Sequence, residues 1–153
     1  MPFSHQLRLC LYQPDIPQNT GAMMRLAACL GASLEIIEPC GFILDDRRVK
    51  RAAMDYTEHL TYQRHTNWAE FAQNTAPARH LLITNQDPTG NIWDFKFNPT
   101  DCLIVGRESA GFPIDFIQNF EHRLIIPMSP DVRSLNVATA AAIALGEAVR
   151  QNN

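Results

Sequence analysis

RLIIPMSPDVRSLN, residues 123–136, holds the change of pattern on which the fold turns. A buried-strand run, Leu124, Ile125 and Ile126, stops at Pro127 and opens into a polar loop. From Ser134 the chain reads SLNVATAAAIALGEAVR, a serine able to accept a backbone N–H followed by a run of good helix formers. Ligands of open α/β sheets sit just past the carboxyl ends of strands, where loops and helix N-termini expose backbone donors. One such unit occurs in any α/β domain. Here LYQPDIPQNTGAMMRLAACLGA (11–32) and CLIVGRESAGFP (102–113) have the same strand-then-polar-loop form, and three loops of one kind predict one pocket.

The hydrophobic pattern predicts strands over 7–12, 34–37, 80–84, 102–105 and 124–126, with a weaker one at 60–62. Helices are predicted between them over 20–30, ending at Gly31, and over 68–73, 114–120 and 135–151. Alternating β and α elements argue for an α/β fold, a mostly parallel sheet with helices on both faces.

The chain reads as one domain over residues 1–153 with no linker. A hydrophobic share of 46% with 19% charged residues fits a soluble globular protein, and no apolar run approaches the ~20 residues of a membrane span. The opening MPFSHQLRLCLYQ lacks the pattern of a signal peptide, so a cytoplasmic location is expected. Cys10, Cys29, Cys40 and Cys102 are scattered among apolar neighbours and read as reduced core thiols. They and the five histidines lack metal-ligand spacing, so no metal is expected. Cys40, between Pro39 and Gly41, is the thiol to weigh for reactivity against simple packing.

A formal net charge of −3 excludes the ordinary basic nucleic-acid binder, but the charge is uneven. Arg47, Arg48, Lys50 and Arg51 follow Asp45 and Asp46 in what reads as a short helix. Such a cluster either holds phosphates or forms a solvated face with local Asp–Arg pairing.

Neither G-x-G-x-x-G nor a P-loop follows the first strand, and Ser109 is not in a G-x-S-x-G elbow. What remains is specific. Asn19 is placed to cap the helix it precedes, Gly21 permits close approach of backbone or ligand, and Arg25 lies one turn further on a mainly apolar helix, which argues for a buried partner. In GRESAGFP, Gly106 and Gly111 allow sharp turns around Glu108, whose carboxylate needs an Arg or several N–H donors if buried.

In these three segments the chain resembles the SPOUT superfamily of S-adenosylmethionine-dependent RNA methyltransferases, in particular its 2′-O-ribose branch. The matching motifs are Asn19, Gly21 and Arg25; then GRESAGFP; then IPM with RSLN. The short length and the run IIEPCGFILDDRRVKRAAMDY look like the compact members that methylate the wobble ribose of tRNA. The resemblance implies an α/β fold with a C-terminal trefoil knot, an exception to the rarity of knots. It implies an enzyme that uses S-adenosyl-L-methionine, without a metal, to methylate the wobble 2′-hydroxyl of tRNA, with leucine isoacceptors expected as substrates.

By position, the donor contacts would be Ile83, Thr84, Gly106, Glu108, Ile126, Met128, Ser134 and Leu135. Arg25 would act on the ribose hydroxyl as general base or by orienting it, with Asn19, Glu108 and Asn136 holding it across a homodimer interface. The small residues Ala138, Ala140, Ala141, Ala142, Ala144 and Gly146 give the last helix a smooth surface, for a second chain or for internal packing. Arg47, Arg48, Lys50, Arg51 and Arg133 are the implied contacts to the tRNA anticodon stem-loop. Arg107, beside the pocket, either reaches RNA or folds onto Glu108. The alternatives are 2′-O-methylation elsewhere in tRNA or ribosomal RNA, a non-catalytic RNA-binding dimer, and a flavin-binding flavodoxin-like protein.

Overall fold

The computed structural model describes residues 3–44, 47–54, 60–132 and 134–153. Asp45, Asp46, His59 and Arg133 lie outside the described residues. The elements run β1 (Arg8–Tyr12), α1 (Pro17–Cys29), β2 (Ser33–Ile37), α2 (Arg47–Ala53), β3 (Tyr62–His65), α3 (Trp68–Thr75), β4 (His80–Ile83), β5 (Gly90–Asn91), β6 (Cys102–Val105), α4 (Ile114–Ile117), β7 (Arg123–Ile125) and α5 (Val137–Asn152). The strands form one sheet in the order β3-β2-β1-β6-β4-β7-β5, and every pairing is parallel.

Side chains alternate across a strand, so each strand feeds two cores. Leu9, Leu11, Leu34, Ile36, Leu81, Leu103 and Val105 face one side, where Met23, Met24 and Ala27 of α1, Val49 of α2, and Ala141, Ala144 and Leu145 of α5 cover them. Cys10, Ile37, Leu82, Cys102 and Ile104 face the other, against Phe71 of α3 and Ile117 and Phe120 near α4. Each Leu, Ile, Val, Met or Phe among them, fully buried, contributes roughly 1.5–3 kcal/mol. Buried on both faces, the central strands read as continuous apolar runs.

Several boundaries differ from the sequence expectation, each for a local reason. Helix α1 starts at Pro17, whose fixed φ suits the first helical position, so Asn19 lies inside the first turn and does not cap. At its far end Gly31 takes φ +69, and Ala32 N–H closes the turn on Ala27 O at 2.9 Å. The weak strand expected at 60–62 is β3 at Tyr62–His65, an edge strand with three exposed residues. The two-residue β5 carries no hydrophobic signal. Helix α5 is capped by Asn136, which accepts from Ala138 and Thr139 N–H at 2.9 and 3.2 Å, and not by Ser134.

Among the described residues no helix is long and apolar enough to cross a membrane. The thiols are free but not uniformly core: Cys10 and Cys102 are buried, Cys40 is half-buried and Cys29 is exposed. Burial pushes the Cys40 thiol up to about 11, which leaves it a packing residue rather than a thiolate nucleophile.

Candidate active site

The three loops do meet. Past the carboxyl ends of β4, β6 and β7 lies a cavity of about 500 Å³. Its wall takes Ile83, Thr84, Gly106, Glu108, Ile126, Met128, Ser134 and Leu135, the full set expected to hold a methyl donor, and also Asn19 and Asn136. A cavity of this size with a mixed polar and apolar wall suits a nucleoside-sized ligand. No cluster of three His, Cys, Asp or Glu side chains among the described residues is arranged to hold a metal ion.

The Gly106–Gly111 turn closes on itself, Arg107 N–H to Gly111 O at 3.3 Å and Gly111 N–H to Arg107 O at 2.8 Å. Gly111 sits at φ +61, and a Cβ there would lie 2.4 Å from Gln86 Oε1. Gln86 acts as a short strand: its Nε2 donates to Phe112 O and its Oε1 accepts from Phe112 N–H, both at 2.9 Å. The β4 and β6 loops are thereby joined at the cavity wall. Arg107 does not fold onto Glu108; its Nε donates to Gly111 O at 2.9 Å.

Among the described residues Glu108 finds neither an arginine nor several N–H donors. Its Oε2 accepts one bond, from Asp15 N–H at 3.0 Å, and its own N–H donates to Asp15 Oδ1 at 3.2 Å. Ser109 Oγ donates to Asp15 Oδ2. Burial, then the Asp15 carboxylate, pushes Glu108 up to about 7, while the Glu108 side chain holds Asp15 below its ordinary value. The two titrate as a pair.

Arg25 is on the exposed side of α1 and is not among the cavity-lining residues. Gly21 serves backbone rather than ligand: a Cβ there would lie 2.5 Å from Val49 O and 2.9 Å from Ala53 N, so its absence lets α2 pack onto α1. That packing brings the exposed Arg47, Arg48, Lys50 and Arg51 beside the helix that carries Arg25. In α5, Ala141 and Ala144 pack into the core, whereas Ala138, Ala142 and Gly146 are half-buried, so the small-residue surface serves internal packing on one side.

Asp15 and Gln86 were not singled out in the sequence. Asp15 carries a faint signal, an acid between two prolines in the first loop. Gln86 carries none, because its partner is brought to it only by the fold.

A parallel sheet with a nucleoside-sized cavity built from three strand-end loops fits a nucleoside-binding α/β domain, and the comparisons narrow it to a methyltransferase. Residues 6–146 match the model of the SpoU rRNA Methylase family, and the chain belongs to that family. It is 48% identical over 144 residues to the tRNA (cytidine(34)-2′-O)-methyltransferase of Beijerinckia indica, covering 94% of this chain and 90% of the relative. A solved structure concerned with 2-OH methylation of C/U34 on tRNA superposes with TM-score 0.91 at 40% identity, over 96% of both chains. The SpoU methyltransferase AviRb of Streptomyces viridochromogenes, solved with AdoMet, superposes with TM-score 0.83 at 28% identity over 96% of this chain and 60% of that one.

Proposed function

We propose that this chain transfers a methyl group from S-adenosylmethionine to the ribose 2′-hydroxyl of nucleotide 34 of tRNA. The observation that carries the reading is the convergence of all eight expected donor contacts on one cavity wall. The relatives named for this reaction at nearly full coverage support the choice of target nucleotide. The donor would lie in the cavity between the Gly106–Gly111 turn and the 126–136 loop, its sulfonium methyl toward the incoming ribose.

The hydroxyl is a poor nucleophile, so positioning supplies much of the rate and the proton must leave as the methyl is attacked. Arg25 is assigned to orient the hydroxyl or accept its proton. Asn19 and Asn136, already joined side chain to side chain, would order the ribose edge of the site. Because Arg25 lies outside the cavity wall of its own chain, a homodimer in which one protomer's Arg25 serves its partner's cavity is the arrangement we favour. We read residues 1–153 as one methyltransferase domain, knotted at its C-terminal end and working in the cytoplasm. Arg47, Arg48, Lys50, Arg51 and Arg133 would meet the phosphates of the anticodon stem-loop, with leucine tRNAs as the expected substrates.

The test uses two synthetic anticodon stem-loops that differ only by ribose or 2′-deoxyribose at nucleotide 34. Methyl transfer to the first and none to the second is the expected result. Equal transfer to both moves the target to another ribose.

A further inference from the structure

Asp15 has no part in the donor reading, yet it is the most connected polar residue of the first loop. Its N–H donates to Glu108 Oε2 at 3.0 Å, its Oδ1 accepts from Glu108 N–H at 3.2 Å, and its Oδ2 accepts from Ser109 Oγ. The loop before α2 backs it. Gly41 N–H donates to Pro14 O at 2.9 Å, and a Cβ on Gly41 would lie 2.8 Å from Asp15 Cβ. Asp15 is therefore held from behind while it grips the turn in front.

The grip consumes one oxygen of Glu108. The other, Oε1, is buried with no hydrogen-bond partner among the described residues, on a side chain that lines the cavity. A buried acceptor left unsatisfied is costly, and a ligand donor that reaches it removes the cost. We propose that Asp15 is a positioning residue for the bound donor: it holds Glu108 and Ser109 so that the free oxygen of Glu108 meets an N–H or O–H of the nucleoside. This rests on reading the cavity as the S-adenosylmethionine site.

The arrangement also ties binding to protons. The groups around Glu108 are Asp15 and Ser109, Arg107, which is turned to Gly111 O, and Cys40, whose thiol responds to the Glu108 charge. Among the described residues only Asp15 presses a second negative charge on it directly. With Glu108 pushed up to about 7, the carboxylate is partly protonated near neutral pH. A protonated Glu108 is a poorer acceptor for a cationic ligand rich in donors. Affinity therefore rises as pH passes upward through this range.

The experiment is calorimetric titration of S-adenosylmethionine into the full-length wild type, Asp15→Asn and Asp15→Ala from pH 5.5 to 8.5, with thermal midpoints recorded in parallel. The wild type weakens as pH falls through the Glu108 midpoint, by at most about tenfold per pH unit. Asp15→Asn keeps the Oδ1 acceptor but not the charge, so it binds as the wild type does at pH 8.5, and the midpoint of its pH profile moves down while burial of Glu108 keeps part of the rise. Asp15→Ala loses the tether and binds at least tenfold more weakly even at pH 8.5. An Asp15→Asn profile with the wild-type midpoint overturns the proposal, as does wild-type affinity in Asp15→Ala. A wild type without affinity at any pH overturns the donor-site reading and the proposal together, which separates the two failures.

Discussion

Asn136 Nδ2 donates to Asn19 Oδ1 at 3.1 Å, joining the start of α5 to the first turn of α1 across 117 residues of sequence. The same Asn136 side chain turns its oxygen inward to cap α5. One residue thus ends the 126–136 loop, begins the last helix and pins it to the first. Asn136→Ala removes both functions and is expected to cost about 1–2 kcal/mol from the lost cap alone. Urea unfolding measures that loss. Donor affinity should fall with it, while Asn136→Asp, which keeps the cap and loses the amide donor, should recover stability and not binding.

Gly21→Ala tests the seat of the basic helix. Its Cβ would meet backbone atoms of α2 at 2.5 and 2.9 Å, so one of the two helices must move. Overpacking of this kind costs roughly 1–3 kcal/mol. Gly21 does not line the cavity, so tRNA affinity should drop while S-adenosylmethionine affinity is retained. Filter binding and calorimetry on the same preparation separate the two.

The basic face predicts a salt dependence. If Arg47, Arg48, Lys50 and Arg51 contact phosphates, each Ala substitution lowers the slope of log K against log salt by roughly 1 and weakens all tRNAs alike. An unchanged slope assigns these side chains to a solvated surface.

Glu108 gives a stability prediction with a definite sign. Its proton affinity is raised by folding, from 4.5 to about 7, so its contribution favours the fold at low pH and is lost as pH rises through that window. Glu108→Gln removes this loss. Its thermal midpoint relative to wild type should therefore climb between pH 4.5 and 7 and then level, while donor affinity falls.

The core was legible because buried parallel strands are spelled as short apolar runs: CLIV of β6 and HLLI of β4 needed no context. Polar edge strands are not spelled that way, which is why YQRH of β3 starts two residues after the start of the expected 60–62 and the Gly90–Asn91 strand has no counterpart in the sequence pattern. At the site, the glycine-bounded Glu108 turn and the IPM and RSLN segments stood out by residue type. Asp15 and Gln86 did not, since they act on partners 93 and 26 residues away that only the folded sheet brings near. The exposure of Arg25 on α1 was not legible, because the apolar neighbours Met23, Met24, Leu26 and Ala27 argue for a buried position and only the folded helix shows which face is turned outward.

The most direct measurement is transfer of labelled methyl from S-adenosylmethionine to unmodified total tRNA, followed by nucleoside mapping, with Arg25→Ala beside the wild type. The account predicts label on the 2′-oxygen of nucleotide 34 and its loss in Arg25→Ala at unchanged donor affinity. Label on another nucleotide, or full activity in Arg25→Ala, would contradict it.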